Sequence, residues 1–314
     1  MPSALAKAHA LSRMRLALAA ARAAQGAWKG TDRNNLANSW TLALGPVIAA
    51  VAGAQLAAAQ GTEPWLQRLL GTDPGQAGTG QLNPRALAGV TGDGMLLVQA
   101  LQVPMWTTLR LVGQGMPIAH AMARGQALLN LMVRTAVADA GRAADQVAMT
   151  ARPAVTSYIR VVESGACSRC IILAGREYGT STGFARHPRC HCGMEPVTKE
   201  HQPEAQDPRK VYDDMSEAQR KKTFGEAAVK AIAEGADLAQ AVNARRGMTT
   251  AVAYGRTLQS TTEGTTRRGF AGQRLRDGKR RALKTPRLMP EEIFRIADDR
   301  DHAVRLLRLH GYIA

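Results

Sequence analysis

Residues 118–151 read IAHAMARGQALLNLMVRTAVADAGRAADQVAMTA, and this stretch decides the fold class. Leu128, Leu129, Leu131, Met132, Ala136 and Val137 recur at helical rather than strand spacing, which makes them one core-facing stripe. A helix of this length must bury that stripe against something, and the preceding sequence offers partners of the same grammar. Helices are expected over 4–25, 40–60 and 95–112, with breaks in the Gly-, Pro- and Asn-rich stretches 30–35, 71–84 and 113–117. Aromatic residues are 4% of a chain that is 45% hydrophobic, so Ala, Leu and Val carry the core and an all-β fold is excluded. The expected fold class is mainly α: an Ala-rich helical bundle over 1–151, a small Cys/His module over 152–200, and a basic, helical region over 201–314. No internal repeat is visible.

Two stretches of the N-terminal region imitate addresses. Residues 1–31 are Ala-rich, basic and free of acid, as in an organellar transit peptide, yet an amphipathic helix accounts for the same pattern. Residues 40–59 carry no charge and are long enough to cross a bilayer. They are mostly Ala and Gly, however, with Pro46 and Gln55 among them, and lack the Leu, Ile and Phe density that favours insertion. A helix buried in the bundle is the expected reading, with no membrane partner.

All four cysteines fall between residues 167 and 192, in GACSRCIILAGREYGTSTGFARHPRCHCG. Cys167 and Cys170 form a CxxC, and His187 and Cys190 repeat its spacing, with His191 and Cys192 alongside. A two-residue spacer lets one tight turn present two ligands to one ion, and zinc takes four in a tetrahedron. A structural zinc held by Cys167, Cys170, Cys190 and either Cys192 or His187 is therefore expected. Four of four cysteines in one short segment do not fit scattered use as small core residues. Disulfides are the alternative in an oxidising compartment. A thioredoxin-like redox site lacks its βαβ frame, and a cysteine nucleophile with His187 or His191 as its base is the remaining alternative.

Beyond the module, Pro203 and Pro208 punctuate a polar linker. Ser216 with Gln219 then reads as a capping box, opening a helix expected to run to Glu234 and stop at Gly235. A second helix capped by Asp237 and ending near Arg246 makes the pair a loose match to a DNA-reading helix-turn-helix, for which a plain helical hairpin is the commoner explanation. Pro290, Glu291 and Glu292 begin a last helix, with Gly311 its stop. Lys plus Arg is 41 against 25 Asp plus Glu, a formal net charge of +16, which favours a polyanionic partner or an acidic protein surface. The densest run holds nine basic residues and one acid, Asp277. Arg267, Arg268, Arg274, Arg276, Lys279, Arg280, Arg281, Lys284 and Arg287 are thus the expected phosphate contacts.

These residues carry a resemblance. The run Cys167-x-x-Cys170-Ile-Ile-Leu173-Ala174-Gly175, followed by Phe184-x-x-His187-Pro188-x-Cys190-x-Cys192 and Pro196, resembles the MuF-like phage head morphogenesis, or minor capsid, proteins. The segments at 235–248, 263–269 and the C-terminal end are similar to versions from phages of actinobacteria. Together they cover about 155–314; before that the likeness is only in helical, Ala-rich character. Ala174 stands where many members of that family place an Asp. The resemblance implies a structural protein of few copies, associated with the portal inside the head. Its implied partners are the portal protein, capsid or scaffold proteins and packaged DNA, with the host cytoplasm as its place during assembly.

Proteins of this type are sometimes labelled capsid maturation proteases, and that alternative stays beside the structural one. A serine protease needs a nucleophile, a base and an oxyanion hole on one scaffold, and no Ser sits in a recognisable elbow. Zinc hydrolysis needs an open coordination position and a base such as the Glu of HExxH, which the sequence lacks. The expectation is therefore a non-enzymatic virion protein, with a helix-turn-helix DNA-binding protein as the second alternative.

Overall fold

The structure is a computed structural model, and it describes residues 2–71, 80–163, 165–184, 187, 190, 192–253, 255–276, 283 and 285–314. It is mainly helical. The chain forms two compact units, one of Met1–Ala166 with Ala174–Gln206 and one of Cys167–Leu173 with Asp207–Ala314. The compositional boundaries at 151 and 200 both fall inside the first unit.

The first unit is built on α1 (Ala4–Lys29), α2 (Leu36–Gln60), α3 (Thr62–Leu70), α4 (Leu97–Ala100), α5 (Val103–Gly113) and α6 (Ile118–Thr150). Helix α6 packs against α1, α2 and α5, as its stripe required. Small residues on α1, such as Ala17, Ala21 and Ala24, let the helix axes approach closely enough for Trp28 and Trp40 to meet edge to face at 4.9 Å. Gly125 of α6 makes room for that cluster, since a Cβ there would lie 2.6 Å from the Trp28 ring. Removing the buried Trp40 ring should cost about 3–5 kcal/mol.

Helix α2 with α3 is long and apolar enough to cross a membrane by length and composition. One stripe of α2, including Trp40, Leu44, Val47 and Val51, faces the bundle interior. Gln55, the polar residue within it, is buried with it. Its Nε2 donates to the Val90 and Ala136 carbonyls, and its Oε1 accepts from the Gly89 N–H.

Helix α3 escaped the sequence reading because Pro64 and the Gly61 turn mask its short stripe, yet its Trp65 is fully buried and stacks on His9 at 4.3 Å. The expected helix over 95–112 is two helices, α4 and α5, separated by a turn at Leu101 and Gln102.

Three short strands complete the first unit: β1 (Ser157–Val161), β2 (Glu177–Gly179) and β3 (Gly193–Val197). They form an antiparallel sheet in the order β2-β1-β3, with every residue of β1 and β3 buried. A strand buried on both faces shows no alternation, which is why SYIRV gave no period-two signal.

The second unit contains α7 (Ser168–Ile171), α8 (Pro208–Asp213), α9 (Glu217–Phe224), α10 (Glu226–Ala233), α11 (Leu238–Asn243), α12 (Phe270–Arg274), α13 (Pro290–Ile296) and α14 (Arg300–Leu309). With them is a second antiparallel sheet, β4 (Met248–Ala253), β5 (Arg256–Thr261) and β6 (Arg287–Leu288), in that order. Leu258, Leu288, Ile293, Leu307 and Tyr312 form its core.

The capping box at Ser216 is present in full, with both reciprocal bonds to Gln219 made. The single helix expected from there to Glu234 is broken, because Gly225 adopts φ +86° and so ends α9 and starts α10. The last helix is likewise two, with Asp299 accepting from the His302 N–H as a new N-cap at 2.7 Å.

Candidate metal centre

Both ligand pairs sit on the tight turns that their spacing predicts. The Cys170 N–H donates to the Cys167 carbonyl at 3.0 Å, and the Cys190 N–H donates to the His187 carbonyl at 3.0 Å. Cys167 is the N-cap residue of α7, and Cys192 immediately precedes β3. Cys170, Cys190 and Cys192 are buried, Cys167 less so, and none of the four is in a disulfide.

Cys167 and Cys170 belong to the Cys167–Leu173 segment of the second unit, and His187, Cys190 and Cys192 to the first. Each turn presents its ligands two residues apart, and a donor set of four thiols and an imidazole suits zinc better than a hard cation. His191 lies outside the described residues.

Two arginines surround the Cys190–Cys192 segment, and sequence reading picked out neither. Arg142 of α6 donates through Nη1 to the Cys190 carbonyl at 2.8 Å and the Cys192 carbonyl at 3.4 Å, and through Nη2 to Asp139 at 2.7 Å. Arg160 of β1 places Nη2 3.4 Å from the Cys192 sulfur and 4.0 Å from the Cys190 sulfur. Its guanidinium also lies 4.3 Å from the centre of the Phe184 ring. The available signal for Arg160 was a lone charge inside the apolar strand SYIRVV. For Arg142 it was a charge among the small residues of AGRAAD.

A cavity of about 80 Å³ adjoins this segment, lined by Arg13, Arg134, Arg142, Glu163, Cys190 and Cys192 together with apolar side chains of α1 and α6. Burial pushes the Glu163 carboxyl above its ordinary value, against the opposing pull of Lys7 and Arg13. Nearby, the fully buried Asp145 carboxylate is bound by His9 at 2.8 Å, by Thr62 at 2.8 Å and by Arg13. Burial alone would raise its carboxyl, but the Arg13 guanidinium and the bonds from His9 and Thr62 outweigh that and hold it below the usual range.

The basic run is divided by the structure. Arg267 and Arg268 are exposed. Arg274 donates to the carbonyls of Arg308 and Ile313, each at 2.6 Å, and Arg276 to that of Thr265 at 2.7 Å. Lys279, Arg280, Arg281 and Lys284 lie outside the described residues. Arg287 needs correcting as a phosphate contact. It is 1% exposed and donates to the carbonyls of His310, Glu263 and Gly311 and to Gln240, so its charge is enclosed in the second unit.

Comparison with known proteins adds one finding. Residues 105–218 match the family described as VG15 protein. That match runs through α5, α6, all three strands of the first sheet and every candidate metal ligand, and it supports a phage-encoded protein. No curated protein and no solved structure matches the chain.

Proposed function

We propose that the chain is a minor capsid protein of the MuF-like head morphogenesis type. In this reading it is a non-enzymatic component of the phage head, associated with the portal and present in the host cytoplasm during assembly. The observation that carries it is the VG15 match extending over a Cys/His module whose two turns each present a pair of ligands at two-residue spacing. Zinc held by Cys167, Cys170, Cys190 and Cys192 would fix the loops between β1 and β3, a segment with few large apolar residues of its own. The positive charge suits packaged DNA and acidic surfaces on portal, capsid or scaffold proteins.

The helix-turn-helix alternative has its turn, at Gly235 with φ +94°, but not its reading face. Helix α11 is six residues long, buries Leu238, Ala241 and Val242, and engages Gln240 with Arg287. A helix so enclosed offers little to a base edge, and any DNA contact is read as sequence-independent.

Mass spectrometry of purified virions tests the proposal. The chain should be found intact in the particles at a few copies each. Its confinement to the lysate, or a cut in major capsid or scaffold protein that appears on co-expression and vanishes with one Ser or His substitution, would overturn it.

A further inference from the structure

Arg160 is 2% exposed, in the middle strand of the first sheet, where its register partner is Met194. A guanidinium taken out of water is costly unless hydrogen-bond acceptors or negative charge accompany it. Its Nη2 lies 3.4 Å from the Cys192 sulfur and 4.0 Å from the Cys190 sulfur, and the ring of Phe184 covers one face of the guanidinium plane. A zinc ion with four thiolates keeps a net charge of −2, and with three thiolates and one imidazole −1. Sulfurs that carry this charge are the natural complement of a buried guanidinium. Arg142 binds the carbonyls of the same two cysteines, so one arginine fixes their backbone and the other faces their sulfurs.

We propose that Arg160 is a positioning residue of the metal centre, which hydrogen-bonds and charge-balances the Cys190 and Cys192 thiolates when they hold the ion. The inference rests on the metal reading given above, and it assigns Cys192 as well as Cys190 to the ion. Metal ligands depend on such outer partners for orientation and affinity, commonly by 10–100-fold. Hydrogen bonds to a thiolate also stabilise its lone pairs, so their loss moves sulfur-to-metal charge transfer to lower energy.

The test uses the full chain loaded with Co²⁺, with metal affinity measured by competition against a chromophoric chelator. The unsubstituted chain should bind one ion with intense sulfur-to-cobalt bands. Arg160→Met should bind about 10–100-fold more weakly, with those bands shifted to lower energy, and Arg160→Lys should recover most of both. Arg160→Met with unchanged affinity and band position would overturn the inference while leaving the metal centre in place. If Arg160→Met does not fold, Arg160→Lys and Arg160→Gln decide. Tighter binding by Lys is expected, and equal affinity in the two would overturn the role of charge. Failure of the unsubstituted chain to take up Co²⁺ or Zn²⁺ would instead overturn the metal reading itself, and this inference with it.

Discussion

Two arginines lie buried on short strands, Arg160 on β1 and Arg287 on β6, at 2% and 1% exposure. Each stacks on an aromatic ring, Phe184 at 4.3 Å and Tyr312 at 4.4 Å. Their acceptors differ. Arg287 is held by neutral oxygens, three carbonyls and a carboxamide, which satisfy its N–H groups and tie β6 to the end of α14. Arg160 faces two sulfurs, whose charge depends on whether a metal has replaced their protons. The same side chain in the same burial thus serves as a fold fastener in one place and as a companion to chemistry in the other. What its donors touch is the distinguishing observation, and burial alone gives no hint of it.

The comparison breaks most plainly at Arg287. Arg287→Met should leave buried carbonyls without donors and destabilise the second unit by on the order of 3 kcal/mol. Hydrogen exchange followed by mass spectrometry should show faster exchange across β5, β6 and α14, with the first unit's α1 and α6 unchanged. Exchange indistinguishable from the unsubstituted chain would mean that the enclosed guanidinium is not what ties these elements together.

A second measurement sharpens the picture of that environment. His310 is buried beside Arg287, and its Nδ1 accepts from the Leu288 N–H at 3.2 Å, so it is held neutral. Burial, with the Arg287 charge second, lowers its pKa from 6.5 to about 4. Because the unfolded chain takes up the proton first, stability is full above pH 6.5 and falls as the pH drops toward 4. The loss from this residue should reach about 2 kcal/mol by pH 5. His310→Asn should flatten the stability profile between pH 6.5 and 4, and an equally steep profile in the variant would contradict the assignment.

The smallest expected effect concerns the exposed arginines. Arg267→Gln with Arg268→Gln should lower the salt slope of duplex DNA binding by up to about 2 units, without altering any base preference. An unchanged slope in filter-binding titrations would make these residues part of a solvated face.

What the sequence made legible follows from local chemistry. The long helices were written in their apolar spacing, the start of α9 in its Ser216–Gln219 box, and the metal turns in two-residue spacers that proved to be closed by one backbone bond each. The strands of the first sheet were not, since β1 and β3 are buried on both faces and β2 is only three residues long, and Gly225 hid a helix break inside an otherwise helical stretch. Charge counting also misplaced Arg287, because density of charge along a chain carries no information about which side chain turns inward. Arg160 and Arg142 were invisible for the converse reason: the atoms they share, on Cys190 and Cys192, are distant in sequence.

The central claim is that the Cys/His module is a metal centre, and metal content tests it most directly. Elemental analysis of the full chain purified without chelator, paired with a count of reactive thiols, should give about one zinc per chain. The four thiols should be slow to react until a chelator is added. Absence of metal, with all four thiols reacting at the rate of the denatured protein or found paired as disulfides, would contradict it.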